Sequence, residues 1–267
     1  MSLEIESLQD VLLLSLGDTI SNSKKINETT KNNLLKLKKS KIVIVGAGGV
    51  GSLCSELLVR SGCENIILVD GDIVEKSNLG RQLYNFENIG KLKVECLKNK
   101  LFKIQNSQTD LSITAIANFI DEDIIHEIIK EIALEKEDED IIIIDCCDNL
   151  NTRRIINEYA LKHNYLWVYS GGEGFESVVA IFDYINPGSI DLFSKFISTS
   201  HVQTSNCSTG VLNSTTAISA SLIVKELLLH CLRKNIPEKV EIREQSQIAR
   251  CIKFNLLHNK VFEFYIK

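Results

Sequence analysis

The run KIVIVGAGGVG, residues 41–51, constrains the fold of this chain more than any other feature of the sequence. Its apolar first half predicts a buried parallel strand, and residues 50–61 predict a helix directly after it. Gly46, Gly48 and Gly51 follow the pattern G-x-G-x-x-G between the two, with Gly49 inside the same turn. Glycines let the backbone approach a phosphate, and the N-terminus of a helix offers N–H groups and partial positive charge. This strand–turn–helix unit predicts a nucleotide site.

The alternation of strands and helices continues as far as residue 149. NIILVD, LSITAIA and DIIIID predict further strands, and residues 90–105 and 122–134 predict the helices between them. Continuous apolar strands separated by helices indicate a parallel sheet covered on both faces. Helices are also predicted after residue 149 and over 211–234, and strands at YLWVYSG, ESVVAIFDYINPG and within 240–267, with a turn near residues 258–259. The expected fold class is α/β: a Rossmann-like parallel sheet with helices on both faces, continued by antiparallel strands in a mixed sheet.

Two segments differ from this alternation. Residues 1–39 are polar and predict an N-terminal helical segment that covers the domain. Residues 189–210 are rich in Ser and Thr and show no clear periodicity, which predicts a long loop. A compact domain rarely keeps such a loop without a function for it.

Composition and charge exclude several classes of protein. A formal net charge of -5 argues against a nucleic-acid carrier protein, because phosphate contacts need clustered Lys and Arg. The acidic start MSLEIESLQD is unlike a secretory signal, and apolar runs such as residues 141–144 are far shorter than a membrane span. The eight cysteines contain no Cys-x-x-Cys pair, so no zinc site is predicted. We expect a cytoplasmic protein with reduced thiols and no membrane partner.

The stretch VDGDIVEKSNLGRQL, residues 69–83, bears on which nucleotide is bound. Asp70 lies 19 residues after Gly51 at the end of the second strand, where a carboxylate would accept hydrogen bonds from a ribose. Binding of NAD requires little more than the glycine-rich turn and this carboxylate, whereas a reaction at the phosphates of ATP requires additional cations. The polar residues that follow, and that could converge on a triphosphate, are Asn78, Arg81, Gln82 and Lys93.

Asp148 follows the fourth strand and is placed like a carboxylate ligand of Mg²⁺. The alternative interpretation is that Asp148 caps the next helix and that Arg81 is a surface ion-pair residue. For either residue alone the alternative is the simpler one. The whole set favours ATP.

GAGGVGS, LVDGDIVEKSNLGRQ, the helix at Lys93, DCCDN and CSTGVLNSTTAISASLIVKELL together resemble the ThiF/MoeB/HesA family, bacterial relatives of the ubiquitin-activating enzymes, over about residues 33–229. The resemblance implies an adenylyltransferase that uses ATP and Mg²⁺. Its substrate would be the C-terminal glycine carboxylate of a small ubiquitin-like sulfur carrier protein or peptide, and the enzyme would be a homodimer. It also implies a helical segment at 1–39 before one adenylation domain at 40–267. That domain would have a nucleotide-binding half at 40–150 and a carrier-binding half at 151–267, with a crossover loop at about 189–210.

The resemblance implies a role for each residue that matches a family motif. Those assigned to the nucleotide are Gly46, Gly48, Gly49, Gly51, Asp70, Asp72, Asn78, Arg81, Gln82 and Lys93. Those assigned to catalysis are Arg81, Lys93, Asp148 as the Mg²⁺ ligand, and Cys207. The chemistry agrees, because a carboxylate is already a nucleophile and positioned cations would lower the repulsion between two anions.

Cys207 lies in TSNCSTG, just before the predicted long helix. A thiol near a helix N-terminus has a lowered pKa and could receive the activated carrier as a thioester or acyl persulfide. A small residue packed beneath the loop is an equal alternative. Cys146 and Cys147 follow a buried strand, and we interpret both as core packing.

Two departures from the family pattern concern the subgroup of the chain and the residue that would contact ATP in the partner subunit. SIDLFSKF stands where many members carry zinc-binding cysteines, which indicates the zinc-free subgroup. The family usually supplies an N-terminal arginine to the partner subunit's ATP, but no arginine precedes Arg60 here. Lys24 or Lys25 could substitute without the bidentate geometry of arginine.

Other functions remain open from the sequence alone. The adenylated carboxylate could belong to a modified tRNA or to a ribosomal peptide. An NAD-dependent oxidoreductase would need only GAGGVG and Asp70, but it leaves SNLGRQ unexplained. A nucleotide-binding scaffold without chemistry would account for the missing arginine.

Overall fold

A mixed sheet forms the centre of this computed structural model, which describes residues 28–104, 110–135, 140–185, 188–199, 210–232 and 249–267. Its strands are β1 (Lys41–Val45), β2 (Asn65–Val69), β3 (Ser112–Ile116), β4 (Ile141–Asp145), β5 (Leu166–Glu173), β6 (Glu176–Asp183), β7 (Ala249–Asn255) and β8 (Lys260–Ile266). They lie in the order β3-β2-β1-β4-β5-β6-β7-β8. The pairs from β3 to β5 are parallel, and those from β5 to β8 are antiparallel. The predicted fold class is confirmed.

The helices lie on both faces of this sheet. They are α1 (Glu28–Lys39), α2 (Gly49–Arg60), α3 (Lys93–Leu101), α4 (Glu122–Glu135), α5 (Leu150–His163), α6 (Leu192–Ile197) and α7 (Asn213–Leu232). Ile42 and Ile44 of β1 point into an apolar cluster with α2, α3 and α7. Val43 and Val45 point to the other face, into a cluster with α4, α5 and α6. Successive residues of a strand point to opposite faces, so one short strand contributes to both halves of the core.

Two predictions of local structure, one of a helix and one of a loop, are corrected by the structure. The helix expected over 90–105 begins only at Lys93, because Gly90 has a φ of +81° and Leu92 forms a bridge with Ile73. The region 189–210, predicted as a loop, contains α6, whose first turn is capped by the Asp191 carboxylate, while residues 200–209 lie outside the described part of the chain. A helix this short contains too few turns to show a helical period in the sequence.

Some predicted elements lie at the limits of the described chain. α1 falls within the predicted helical segment 1–39, of which residues 1–27 lie outside the described part. The predicted turn between the last two strands is confirmed, with Asn259 at a φ of +49°. Within the described part of the chain, every helix is too short or too polar to span a lipid bilayer.

The order of the strands determines where a ligand can bind. β1 pairs with β2 on one side and with β4 on the other, so the connections diverge to opposite faces at this point. The register aligns Val45 with Val69 and with Asp145. Gly46, Asp70 and Cys146 therefore leave the sheet side by side at its carboxyl edge. Open α/β sheets bind ligands in the crevice at such a switch point.

Candidate functional site

A cavity of about 740 Å³ lies at this edge of the sheet. Its volume is in the range of small-molecule sites. Ten of the twelve residues predicted from the sequence line it, namely Gly46, Gly48, Gly49, Asp70, Asp72, Asn78, Arg81, Gln82, Lys93 and Asp148. Gly51 is buried behind the lining, and Cys207 lies outside the described residues.

The glycine-rich turn borders the cavity, and two of its glycines, Gly46 and Gly51, leave no room for a side chain. A Cβ on Gly46 would lie 2.7 Å from the carbonyl oxygen of Cys146, and one on Gly51 would lie 1.8 Å from the carbonyl oxygen of Gly46. Gly48 differs, because the nearest atom to a Cβ there would be Gln82 Nε2 at 3.9 Å. Gly46 and Gly51 therefore serve the close packing of the turn, whereas Gly48 leaves space on the cavity side.

The N-terminus of α2 opens directly from this turn. Gly48 is its cap residue and supplies no side-chain hydrogen bond, and the first turn contains no acidic residue. The N–H groups and the positive end of the helix dipole are therefore not offset by a carboxylate on the first turn of the helix itself. Such a helix start is suited to binding an anion.

Asp70 joins the glycine-rich turn to the loop that follows β2. Its Oδ2 accepts a hydrogen bond from the Ala47 N–H at 2.7 Å, and its Oδ1 accepts one from the Asp72 N–H at 2.8 Å. The hydroxyl of Tyr84 donates to the Ala47 carbonyl at 2.7 Å, so the same peptide is held from both sides. Each carboxylate oxygen has a second lone pair that could accept from a ribose hydroxyl. Asp70 is thus a structural residue of the site as well as a ribose candidate.

Asn78 and Arg81 are positioned by a short 3₁₀ turn. Asn78 Oδ1 accepts from the Glu75 N–H at 3.0 Å, and the side chain of Asn78 is buried. Arg81 Nη1 donates to the Ser77 carbonyl at 3.1 Å. No carboxylate in the described part of the chain forms an ion pair with Arg81, so the alternative of a surface ion-pair residue has no support there. Its guanidinium keeps further donors for a ligand.

Lys93 opens α3 and is already paired within the chain. Its Nζ lies 2.7 Å from Asp72 Oδ2, and the Lys93 side chain is only 8% exposed whereas that of Asp72 is 52% exposed. The Asp72 carboxylate offsets the positive charge of Lys93. A triphosphate would meet an ion pair at this position, where the sequence predicted a single cation.

Asp148 lies in the loop between β4 and α5, with its side chain exposed at the cavity. The cap of α5 is Asn149, whose Oδ1 accepts from the Thr152 N–H at 2.8 Å. The interpretation of Asp148 as a helix cap is therefore wrong. With no capping role, the carboxylate of Asp148 is accessible to a ligand in the cavity.

Arg153, on the first turns of α5, lines the cavity and was not predicted from the sequence. Its Nη2 donates to the carbonyls of Cys147 at 2.7 Å and Ser170 at 3.1 Å, and its guanidinium lies 4.5 Å from the centre of the Tyr169 ring. Its Nε lies 3.6 Å from Oδ2 of the fully buried Asp145. Burial raises the pKa of Asp145, and the guanidinium of Arg153 opposes part of that rise.

The adjacent cysteines combine packing with a place at the cavity. Cys146 and Cys147 are both partly buried and pack against the apolar clusters, as predicted, and both also line the cavity. Burial raises the pKa of both thiols well above the usual value, so both are protonated at neutral pH. A protonated thiol is a poor nucleophile.

The far end of the cavity is formed by the antiparallel strands. Glu173 and Glu176 border the turn between β5 and β6, and Lys253 comes from β7. Lys253 Nζ lies 3.0 Å from Glu176 Oε2 and lowers the pKa of that carboxyl. These residues carried no signal in the sequence, because only strand pairing brings residue 253 next to residue 176.

The charges that line the cavity do not by themselves match a triphosphate. The cations among the described lining residues are Arg81, Lys93, Arg153 and Lys253. The carboxylates are Asp70, Asp72, Asp148, Glu173 and Glu176. Three of the four cations lie within 4 Å of a carboxylate oxygen. Strong binding of a tetra-anion would therefore need additional positive charge.

The carboxylates at the cavity suit Mg²⁺ better than a metal ion that is coordinated by protein side chains alone. Among the residues that the structure describes, no three His, Cys, Asp or Glu side chains lie close enough together to hold a metal ion. Mg²⁺ usually takes one or two protein carboxylates and completes its shell with water and substrate phosphates. The exposed carboxylate of Asp148 beside the cavity meets that requirement.

Comparison with known proteins gives relatives along most of the chain. The "Probable molybdopterin-synthase adenylyltransferase" of Porphyra purpurea is 32% identical over 235 residues, which cover 84% of this chain and 57% of that protein. The "Sulfur carrier protein ThiS adenylyltransferase" of Bacillus subtilis is 31% identical over 140 residues, 52% of this chain and 39% of that protein. The chain thus matches about two fifths to three fifths of the length of these relatives.

Solved structures share the fold. MccB of E. coli with AMPCPP and MccA has a TM-score of 0.63 and 23% identity, over 88% of this chain and 66% of that one. PaaA has a TM-score of 0.62 and 20% identity, over 98% of this chain and 84% of that one. The profile of the ThiF family matches residues 21–267, nearly the whole sequence. The chain therefore belongs to the ThiF family.

Proposed function

We propose that this protein is an adenylyltransferase that activates a carboxylate with ATP. The acceptor is the C-terminal glycine of a small ubiquitin-like sulfur carrier protein or of a peptide. The observation that carries this proposal is that Arg81 and Asp148, from distant parts of the sequence, line one cavity with the glycine-rich turn and Asp70. The names of the Bacillus subtilis relative, which acts on a sulfur carrier, and of the MccB complex with MccA support the two classes of acceptor.

The reaction needs charge stabilisation more than proton transfer. An oxygen of the acceptor carboxylate forms a bond to the α-phosphorus of ATP while the bond to the bridging oxygen breaks, and pyrophosphate leaves with the electron pair. No proton moves, so no general base is required. The barrier is the repulsion between two anions, which positioned donors reduce.

Each cavity residue has a role in this proposal. The start of α2 at Gly48 and Gly49 binds phosphate oxygens, and Asp70 accepts from the ribose. Arg81, with Asn78 and Gln82, binds the triphosphate. Asp148 would hold Mg²⁺, which when bound offsets the negative charge of the triphosphate. The Lys93–Asp72 pair adds a donor with little net charge.

The positive charge that the cavity lacks is the basis for proposing a homodimer. Carboxylates outnumber cations on the described lining of the cavity, so an additional cation from a partner subunit would balance the triphosphate. Lys24 or Lys25 could supply it, but both lie outside the described residues. Cys207 also lies outside them, and its role as nucleophile stays a prediction.

We assign the protein to the zinc-free subgroup of the family and to the cytoplasm. The segment after residue 188, where the family resemblance would place zinc-binding cysteines, contains no cysteine in residues 189–199 and forms α6 with Phe193 and Phe196 buried. Acceptors on tRNA are disfavoured by the acidic net charge. An NAD-dependent oxidoreductase is disfavoured by membership of the ThiF family.

Calorimetric titration with ATP plus Mg²⁺, and separately with NAD, tests the proposal. Saturable binding of ATP is expected, together with ATP–pyrophosphate exchange when carriers ending in Gly-Gly are added. Arg81→Ala should slow exchange by about tenfold to a thousandfold. Arg60→Ala is the matched control, because Arg60 is exposed at the end of α2 in an ion pair with Glu56 and does not line the cavity.

Each contrary result would have a different meaning. Binding of NAD without ATP would return the chain to the oxidoreductases. Binding of ATP without exchange for any carrier or peptide would indicate a scaffold. Equal exchange rates for wild type and Arg81→Ala would refute the proposed site.

A further inference from the structure

We propose that Arg153 is a positioning residue that fixes the loop of Asp148 for metal binding. This inference rests on the proposed function. Arg153 is nearly buried, with 12% of its side chain exposed, and it donates to the carbonyl of Cys147, the residue before Asp148. Through this hydrogen bond it would act on the metal site by way of the loop backbone.

The first step is the contact between Arg153 and the loop. One terminal nitrogen, Nη2, donates to the carbonyl of Cys147 at 2.7 Å and to the carbonyl of Ser170 on β5 at 3.1 Å. Arg153 thereby connects the loop after β4 to the neighbouring strand. Charge-assisted hydrogen bonds of this kind are about twice as strong as neutral ones.

The second step is the contact on the other side of the same residue. The N–H of Cys147 donates to Asp145 Oδ1 at 3.0 Å, and Oδ2 of Asp145 lies 3.6 Å from Arg153 Nε. Cys147 is therefore held at its N–H by Asp145 and at its carbonyl by Arg153. The Tyr169 ring, 4.5 Å from the guanidinium, limits movement of Arg153 itself.

The third step concerns the cost of this arrangement. Asp145 is fully buried and Arg153 nearly so, and a buried ion pair is often no more stabilising than apolar residues of similar volume. Stability of the fold alone gives little reason for an arginine here. Its ability to bridge two carbonyls, a carboxylate and a ring gives a specific reason, which apolar side chains cannot replace.

The consequence falls on Asp148. The residue before it, Cys147, is held by Asp145 and Arg153, and the residue after it, Asn149, is held as the cap of α5. The backbone of Asp148 is thus fixed on both sides while its carboxylate is exposed at the cavity. A metal ligand needs such support, because small displacements of a ligand oxygen weaken coordination.

The experiment compares Arg153→Met with the wild type. Hydrogen–deuterium exchange without nucleotide reports on the loop itself, and we expect the amides of residues 146–149 to exchange at least about tenfold faster in the variant. Mn²⁺ affinity in the presence of AMPCPP, followed by electron paramagnetic resonance, reports on the metal site. We expect it to fall by about tenfold to a hundredfold. Binding of AMPCPP in the presence of EDTA should weaken by no more than about fivefold, the effect of removing one paired charge from the lining.

Arg250→Met is the matched control. Arg250 also lies in a partly buried ion pair, with its Nη1 2.6 Å from Glu226 Oε2, but it does not line the cavity. The control should lose stability without a change in Mn²⁺ affinity. This separates a positioning effect from general destabilisation.

The results distinguish a failure of the role proposed for Arg153 from a failure of the proposed function. Wild-type binding of AMPCPP and Mn²⁺ with equal Mn²⁺ affinity in Arg153→Met would overturn the role of Arg153 and leave the proposed function intact. An equal loss of Mn²⁺ affinity in Arg250→Met would overturn it as well. A wild-type protein that binds neither ligand would refute the proposed function and the metal-positioning role together.

Discussion

Asp72 and Lys93 form an ion pair in the lining of the cavity, with 2.7 Å between Oδ2 and Nζ. The lysine is almost buried and the aspartate is half exposed, so the aspartate is the member that a ligand meets from solvent. A triphosphate at this position would experience the attraction of one group and the repulsion of the other. The net effect of the pair on ATP affinity therefore depends on which of its two charges lies nearer to the phosphates.

Removing either member of this pair should change ATP affinity in opposite directions. Asp72→Asn removes a negative charge and should tighten binding of ATP by about 1 kcal/mol, or roughly fivefold. Lys93→Met removes the cation and should weaken it. Calorimetric titration at low ionic strength measures both, since salt screens such interactions. Weaker binding by Asp72→Asn would show that its contact with Lys93 matters more than its charge.

Two glycine substitutions should separate stability from ligand binding. A Cβ at residue 51 would overlap the Gly46 carbonyl oxygen at 1.8 Å, so Gly51→Ala should destabilise the fold by about 3 kcal/mol or more. A Cβ at residue 48 would lie 3.9 Å from its nearest neighbour, so Gly48→Ala should fold normally. The added methyl group faces the proposed phosphate position and should weaken ATP binding by about tenfold. Thermal unfolding and titration of the two variants measure the contrast; unchanged ATP affinity in Gly48→Ala would argue against phosphate binding at this turn.

The neighbouring residues Asp148 and Asn149 should respond differently to alanine. Asn149→Ala removes the cap of α5 and should lower the free energy of unfolding by about 1 kcal/mol. Asp148→Ala should change it by less than about 0.5 kcal/mol, because the side chain is exposed and does not cap the helix. The Mg²⁺ dependence of ATP binding should instead be lost. An Asp148→Ala protein that still responds to Mg²⁺ would exclude this carboxylate as the ligand.

Asp191 should make stability depend on pH. Burial alone would raise its pKa, but the hydrogen bonds from Ser194 and Asn157 outweigh that effect and lower the pKa below its usual value. A lowered folded-state pKa stabilises the protein above the unfolded pKa of about 3.9, and this contribution is lost as the pH falls through the folded value.

Asp191→Asn serves to measure this contribution. The stability difference from the wild type should be largest at neutral pH and should shrink below about pH 4, where the wild-type carboxyl becomes protonated. Urea unfolding at a series of pH values gives the comparison. A difference that stays constant between neutral and acidic pH would show that the carboxylate charge contributes nothing there.

Local features of this fold could be predicted from the sequence because they depend on neighbouring residues. The apolar run of β1, the glycine-rich turn and the helix after it occupy one continuous stretch, so their order and spacing specify their geometry. The same holds for Asp70, which follows a strand paired in register with β1. The alternative in which Asp148 caps α5 was wrong, since Asn149 caps it; the two residues are adjacent and both residue types can cap a helix, so the sequence does not separate them.

What the tertiary structure alone decided is which further residues join the predicted set at the cavity and which charges are paired there. Arg153 meets Ser170 only because β4 pairs with β5, and Lys253 meets Glu176 only because β6 pairs with β7. The pairing of Lys93 with Asp72 depends on how the loop after β2 returns to α3. Sequence periodicity records which face of an element is buried. It carries no information on strand order, and strand order determines which side chains meet at the edge of the sheet.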